Sequence, residues 1–120
     1  MTIDRRALSI VPVRAVGMVR KATSWRVLAA LGHHASATGL CYPSQATLGE
    51  LAGGMDQAEV SRAVKDLHDL GLVRMLLPVG PKLRGSFQKQ NRYQILWTPH
   101  APLPNDREIE ISWGSRVNRW

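Results

Sequence analysis

Residues 42–73, YPSQATLGELAGGMDQAEVSRAVKDLHDLGLV, constrain the fold more than any other stretch. They hold two helix starts and two helix stops in quick succession. Tyr42-Pro43-Ser44 is a boundary, because proline disfavours helix at the residue before it and Ser44 can cap a helix that begins after it. Residues 45–52 then form a short helix, with Leu48 and Leu51 expected to face inward. Gly53-Gly54 breaks it. Asp56, with Glu59 three residues on, is a capping-box pattern that opens a second helix. Val60, Val64, Leu67 and Leu70 are the apolar stripe of that helix, and Gly71 is a natural stop. A short helix and a longer one joined by a tight turn make a helix-turn-helix.

The flanks supply the rest of a domain. Residues 5–20 are apolar and β-branched with Pro12 among them, and read as an extended arm or edge strand. Thr23 and Ser24 offer an N-cap. Trp25, Leu28, Leu31 and Ala35 come next at helical spacing, which predicts a helix over 24–36 ended by Thr38-Gly39. After Gly71 the period changes. Residues 72–77 are β-prone and stop at Pro78, and residues 92–97 are β-prone with Tyr93, Ile95 and Trp97 on one face. Between them PVGPKLRGSFQKQN has two Gly, two Pro, three cations and no anion, which predicts a hairpin with a basic tip. In the tail, Ile109, Ile111 and Trp113 alternate with Glu108, Glu110 and Ser112, a further strand pattern with one apolar and one acidic face. The expected fold is mainly α with a small β-hairpin (α+β): a winged helix-turn-helix of three helices plus a basic wing. The expected division is a basic arm over 1–21, the winged domain over 22–97 and a packing or dimer tail over 98–120.

Composition narrows the function classes. At 120 residues the chain suits one domain, and 44% apolar with 21% charged residues can build a core. The single cysteine, Cys41, forms no internal disulfide and reads as a small buried residue. The start, MTIDRR, lacks the apolar core of a signal peptide, and no apolar run approaches the length of a membrane span, so a cytoplasmic protein is expected. The net charge of +7, with twelve Arg among sixteen cations, favours a polyanionic partner met by bidentate contacts. That charge is unevenly placed. Residues 1–43 carry six cations and one anion, 44–71 two cations and five anions, and 72–97 five cations and no anion.

At this point the chain resembles a known family. Tyr42-Pro43-Ser44, Thr47-Leu48, Val60-Ser61-Arg62-Ala63-Val64, Leu67, Leu70-Gly71-Leu72-Val73 and Asn91-Arg92-Tyr93 are similar to the winged helix-turn-helix domains of plasmid and phage replication proteins and of MarR-like bacterial regulators. The resemblance covers roughly residues 22–97. It departs from the family in the turn Leu51-Ala52-Gly53-Gly54-Met55-Asp56, which is one residue longer than usual. The resemblance implies DNA binding and leaves regulation and replication initiation both open.

The acidic middle segment does not contradict that expectation. At about 100° per residue, Gln57, Ala58, Ser61, Arg62 and Lys65 share an arc of about 140°, opposite the apolar stripe. Glu59 and Asp66 lie on its flank, and Asp69 lies at the far end. The residue types on that face suit base edges: Arg62 for a guanine, Gln57 for an adenine, Ala58 for a thymine methyl, with Lys65 on a phosphate. Ser44 and Gln45 at the start of the short helix are expected DNA contacts, Lys82, Arg84 and Lys89 in the wing are expected at phosphates or in the minor groove, and Arg5, Arg6, Arg14, Arg20 and Lys21 in the arm are the expected backbone contacts. A homodimer is expected because one short helix reads few base pairs, with the arm and the strand near 106–113 as its contacts.

Other chemistries find little support. His33-His34 are adjacent rather than at metal-sharing spacing, His68 and His100 stand alone, and GPKLRGS lacks the spacing of a phosphate-cradling loop. No catalytic constellation, metal or cofactor is expected. The expected function is sequence-specific binding of double-stranded DNA in transcriptional control. The alternatives are replication initiation or copy control, a winged-helix adaptor that binds protein, and RNA binding.

Overall fold

The computed structural model describes residues 7–78 and 92–111. The elements run α1 (Ala15–Met18), α2 (Ala22–His34), β1 (Leu40–Cys41), α3 (Gln45–Leu51), α4 (Gln57–Asp69), β2 (Val73–Pro78), β3 (Arg92–Ile95) and β4 (Glu108–Ile111). Helices and a small antiparallel sheet thus form the mixed α+β architecture expected, compatible with a winged helix-turn-helix. The 79–91 segment predicted as the wing tip lies outside the described residues.

The apolar periodicities decide the core. Val27, Leu28 and Leu31 of α2, Leu48 of α3 and Val60, Val64 and Leu67 of α4 are buried together with Val73, Met75, Tyr93 and Ile95 of the sheet. Full burial of each such aliphatic side chain contributes about 1.5–3 kcal/mol. Trp25 and Trp97 pack at the margin of this cluster, each donating its indole N–H to a backbone carbonyl, of Val19 and Ala37 respectively.

The sheet order is β1-β3-β2-β4, all antiparallel. Its register turns Met75, Tyr93 and Ile111 toward the helices and Arg74, Arg92, Gln94, Glu108 and Glu110 to the other side. That second side is not simply solvated. Arg74 pairs with Glu110 at 3.1 Å and donates to Gln94 at 2.8 Å and to the Ala101 carbonyl at 3.0 Å. Arg92 pairs with the buried Glu108, and Gln94 donates to the Thr38 and Pro102 carbonyls. The tail therefore crosses the sheet and adds β4 to its edge.

Several details differ from expectation. The helix predicted over 24–36 begins at Ala22 and ends at His34. Neither Thr23 nor Ser24 caps it; Lys21 holds the N-cap position with no side-chain bond. Ser24 is instead buried within the first turn, where its hydroxyl finds the Asp66 carboxylate, a stronger acceptor than a backbone amide would be a donor. The arm is not wholly extended. Residues 15–18 form a helical turn, and Ala15 and Val19 enter the core. Pro12 stands just before that turn, where its missing N–H costs nothing, and its carbonyl accepts from Ala15 N–H. Leu51, expected inward, is 50% exposed, because α3 ends there and only its Leu48 side reaches the core.

Candidate nucleic-acid interface

The interface begins with how α3 and α4 are started and joined. Ser44 Oγ accepts from Thr47 N–H at 3.1 Å and caps α3. Asp56 Oδ1 accepts from Glu59 N–H at 2.8 Å, and Glu59 Oε1 accepts from Asp56 N–H at 3.2 Å, so the capping box is complete. Both acids also sit where the helix dipole is positive. Asp56 and Glu59 are thus consumed by helix building.

The turn rests on close backbone approach. Gly53 and Gly54 have φ of +100° and +87°, a left-handed path that other residues resist. The path carries the chain back onto α3, where the Gly54 and Met55 N–H groups both donate to the Gly49 carbonyl at 2.9 and 3.0 Å. A Cβ on Gly49 would fall inside 3.0 Å of the Met55 carbonyl oxygen. The longer turn is accommodated by two left-handed glycines and one helix glycine with no side chain in the way.

This geometry lays α4 across α2 and α3 with its apolar stripe down. Val60, Ala63, Val64 and Leu67 are buried, while Gln57, Ala58, Arg62 and Lys65 are exposed and Ser61 is half-buried. Five residues expected on one face do lie on one face. Lys65 Nζ is held by Asp69 Oδ2 at 2.8 Å, one turn on. That contact, with the neighbouring His68, keeps the exposed Asp69 carboxyl below its ordinary pKa. Asp66, on the flank, accepts from Ser24 Oγ at 2.6 Å. Between the start of α2 and α4 lies a cleft of about 170 Å³ lined by Lys21, Thr23, Ser24, Glu59, Arg62 and Ala63.

Other predicted site residues fare differently. Ser44 is exposed but occupied as a cap. Gln45 is 6% exposed, and neither of its amide atoms finds a hydrogen bond. As the first residue of a short helix lying on the core it turns inward, so it does not join the outer face. Arg14 is not a free backbone contact either. Its guanidinium donates to the Trp97 carbonyl at 3.0 Å and the Gly71 carbonyl at 3.2 Å, tying the arm to the end of β3 and to the α4–β2 turn. Arg20 and Lys21 are exposed near the start of α2. Arg5, Arg6, Lys82, Arg84 and Lys89 lie outside the described residues. Two cations of the basic 72–97 block, Arg74 and Arg92, are engaged by β4 acids.

Residue spacing did not single out Ser24 and Asp66 as partners, since they stand 42 positions apart. The Arg74–Glu110 and Arg92–Glu108 pairs left only half a signal: Glu108 and Glu110 alternate along β4, whereas Arg74 and Arg92 lie on two different strands, β2 and β3. Cys41 is buried and free, and burial pushes its thiol up to about 12. No helix among the described residues is long and apolar enough to cross a membrane, and no cluster of three His, Cys, Asp or Glu there could hold a metal.

A capped short helix, a glycine turn and a longer helix with an exposed cationic face on a small sheet define a helix-turn-helix domain. Comparison with known families agrees: residues 21–73 match the family described as a helix-turn-helix domain, which supports a DNA-binding domain over that span. No curated protein and no solved structure matches the chain.

Proposed function

We propose that the protein is a non-catalytic, cytoplasmic, sequence-specific binder of double-stranded DNA and works in transcriptional control. The observation that carries this reading is the outer face of α4, where Gln57, Ala58, Ser61, Arg62 and Lys65 stand together with no acid on its N-terminal half. A helix of this kind fits the major groove, with Arg62 on a guanine and Gln57 on an adenine. Lys65 meets a phosphate, for which it must exchange Asp69. Lys21 and Arg20 beside α2, and the Lys82, Arg84 and Lys89 segment, supply sequence-independent grip. Replication initiation is the second reading, supported by the likeness of residues 42–73 and 91–93 to plasmid and phage replication domains.

We further propose a homodimer. Leu8, Ile10, Val13 and Val16 of the N-terminal segment are exposed apolar side chains, and β4 lies at the edge of the sheet. Two-fold pairing would double the length of DNA read.

Selection of bound fragments from random DNA tests the reading. A recovered motif with two-fold repeated half-sites is expected, with affinity that falls steeply as salt rises. An Arg62→Ala variant should lose about 1–3 kcal/mol of preference at one base position. Absence of binding to duplex DNA at low salt would reject the function, and a motif without repetition would reject the dimer.

A further inference from the structure

α2 and α4 are joined by a hydrogen bond from Ser24 Oγ to Asp66 Oδ2, at 2.6 Å. Ser24 has no exposed surface, so the bond is shielded at one end and resists competition from water. Around it, Val27, Leu28 and Leu31 of α2 meet Val60, Val64 and Leu67 of α4 through aliphatic surface. Such contacts attract without direction, and a small roll of one helix on its neighbour is resisted only by close packing. A short hydroxyl–carboxylate bond resists it directly, because its strength collapses with distance and angle.

Asp66 stands one turn beyond Arg62, about 40° away in azimuth, and next to Lys65. Ser24 and Arg62 line the same cleft. A roll of α4 by about 10° would carry a head group about 6 Å from the helix axis through about 1 Å. That is enough to undo a bidentate contact with a base, which holds its atoms to a few tenths of an ångström. A phosphate contact by a flexible lysine would survive the same roll.

We infer that Ser24 and Asp66 are positioning residues that set the rotation of α4, and through it the sequence preference of Arg62, without themselves touching DNA. The inference rests on α4 being the reading helix. Its consequence is a split between two quantities. Losing the bond lowers discrimination between sequences, while affinity for arbitrary DNA and its salt dependence stay where they were. A residue that merely stabilised the fold would lower both together.

The test uses the full chain and two duplexes of equal length, one recovered by the wild-type protein from random DNA and one with that sequence scrambled. Ser24→Ala and Asp66→Ala are expected to cut the affinity ratio between the duplexes about 10-fold, with the scrambled duplex bound as before or slightly tighter. Asp66→Asn keeps an acceptor for Ser24 and is expected to retain the ratio within about 2-fold, while loss of a negative charge tightens both duplexes alike. An unchanged ratio in both alanine variants overturns the proposal. So does a ratio lost equally in Asp66→Asn, since charge rather than the bond would then be responsible. Arg62→Ala distinguishes the underlying reading: if it leaves the ratio intact, or the wild type shows no preference, α4 is not the reading helix. The pin is then judged on the free protein by amide spectra. Changes spreading along α4 from Arg62 to Lys65 in Ser24→Ala, and absent in Asp66→Asn, support it; changes confined to positions 24 and 66 overturn it.

Discussion

Replacing Gly49 by alanine puts the turn of the helix-turn-helix under direct load. Alanine is the better helix former, and in an open helix the change would stabilise by about 1 kcal/mol. Here the added methyl would lie inside 3.0 Å of the Met55 carbonyl oxygen, 3.3 Å from the Met55 carbonyl carbon and 3.5 Å from Val60 Cγ2. The neighbour that must yield is backbone, and it sits in the turn that carries α4. Overpacking of this kind costs about 1–3 kcal/mol. Moving Met55 away also loosens the two N–H donations from Gly54 and Met55 to the Gly49 carbonyl, at about 0.5–1.5 kcal/mol each. After the propensity gain is subtracted, the loss is about 3 kcal/mol, or about 10 °C of melting temperature at this chain length. Gly17→Ala is the control, because a Cβ there meets nothing within 4 Å. Thermal melting of the three proteins by circular dichroism gives the comparison. A Gly49→Ala protein that melts with or above the wild type, as Gly17→Ala should, would refute the close-approach argument.

Three further outcomes are expected. Arg14→Ala removes the tie between the arm, Gly71 and Trp97, and should lower stability in urea by about 1–3 kcal/mol; the salt slope of DNA binding should not change, as it would if Arg14 met a phosphate. Cys41, whose thiol is pushed up to about 12 by burial, should resist a thiol reagent at pH 8 in the folded protein and react fully once unfolded; fast labelling of native protein would contradict its placement. Asp69→Asn frees Lys65 from its 2.8 Å partner, so affinity for any duplex should rise at low salt and the gain should fade as salt increases; weaker binding would show that Asp69 helps rather than competes. The lowered Asp69 pKa fixes the sign of the pH effect. Its folded-state carboxyl holds its charge below the unfolded value, so the pair's small contribution is present above that value and lost as pH falls through the folded one.

Much of the candidate interface is legible in the residues alone. Ser44, Asp56 and Glu59 are read from local rules because a cap depends only on residues one turn apart. The outer face of α4 follows from the helical period for the same reason. Gln45 and Leu51 were misplaced at opposite ends of α3, where a short helix touches the core along one narrow line and the period alone cannot say which line. Arg14 looked like any dispersed cation, since the carbonyls that take it up lie 57 and 83 positions away. For Arg74 and Arg92, net charge by segment overstated what is free for a polyanion, because their partners sit on a strand outside the segment counted.

The sequence by itself determined where the two helices of the helix-turn-helix start and stop, which side of α4 is apolar, and the two-glycine turn between them, because all of these are local consequences of backbone sterics, capping and periodicity. Only the tertiary structure decided which polar groups remain available. It buried Gln45, tied Arg14 to two carbonyls, matched the β4 acids to Arg74 and Arg92, and joined Ser24 to Asp66. Those outcomes depend on groups far apart in the chain meeting at hydrogen-bond distance, and such meetings are set by how the elements pack rather than by any residue's neighbours.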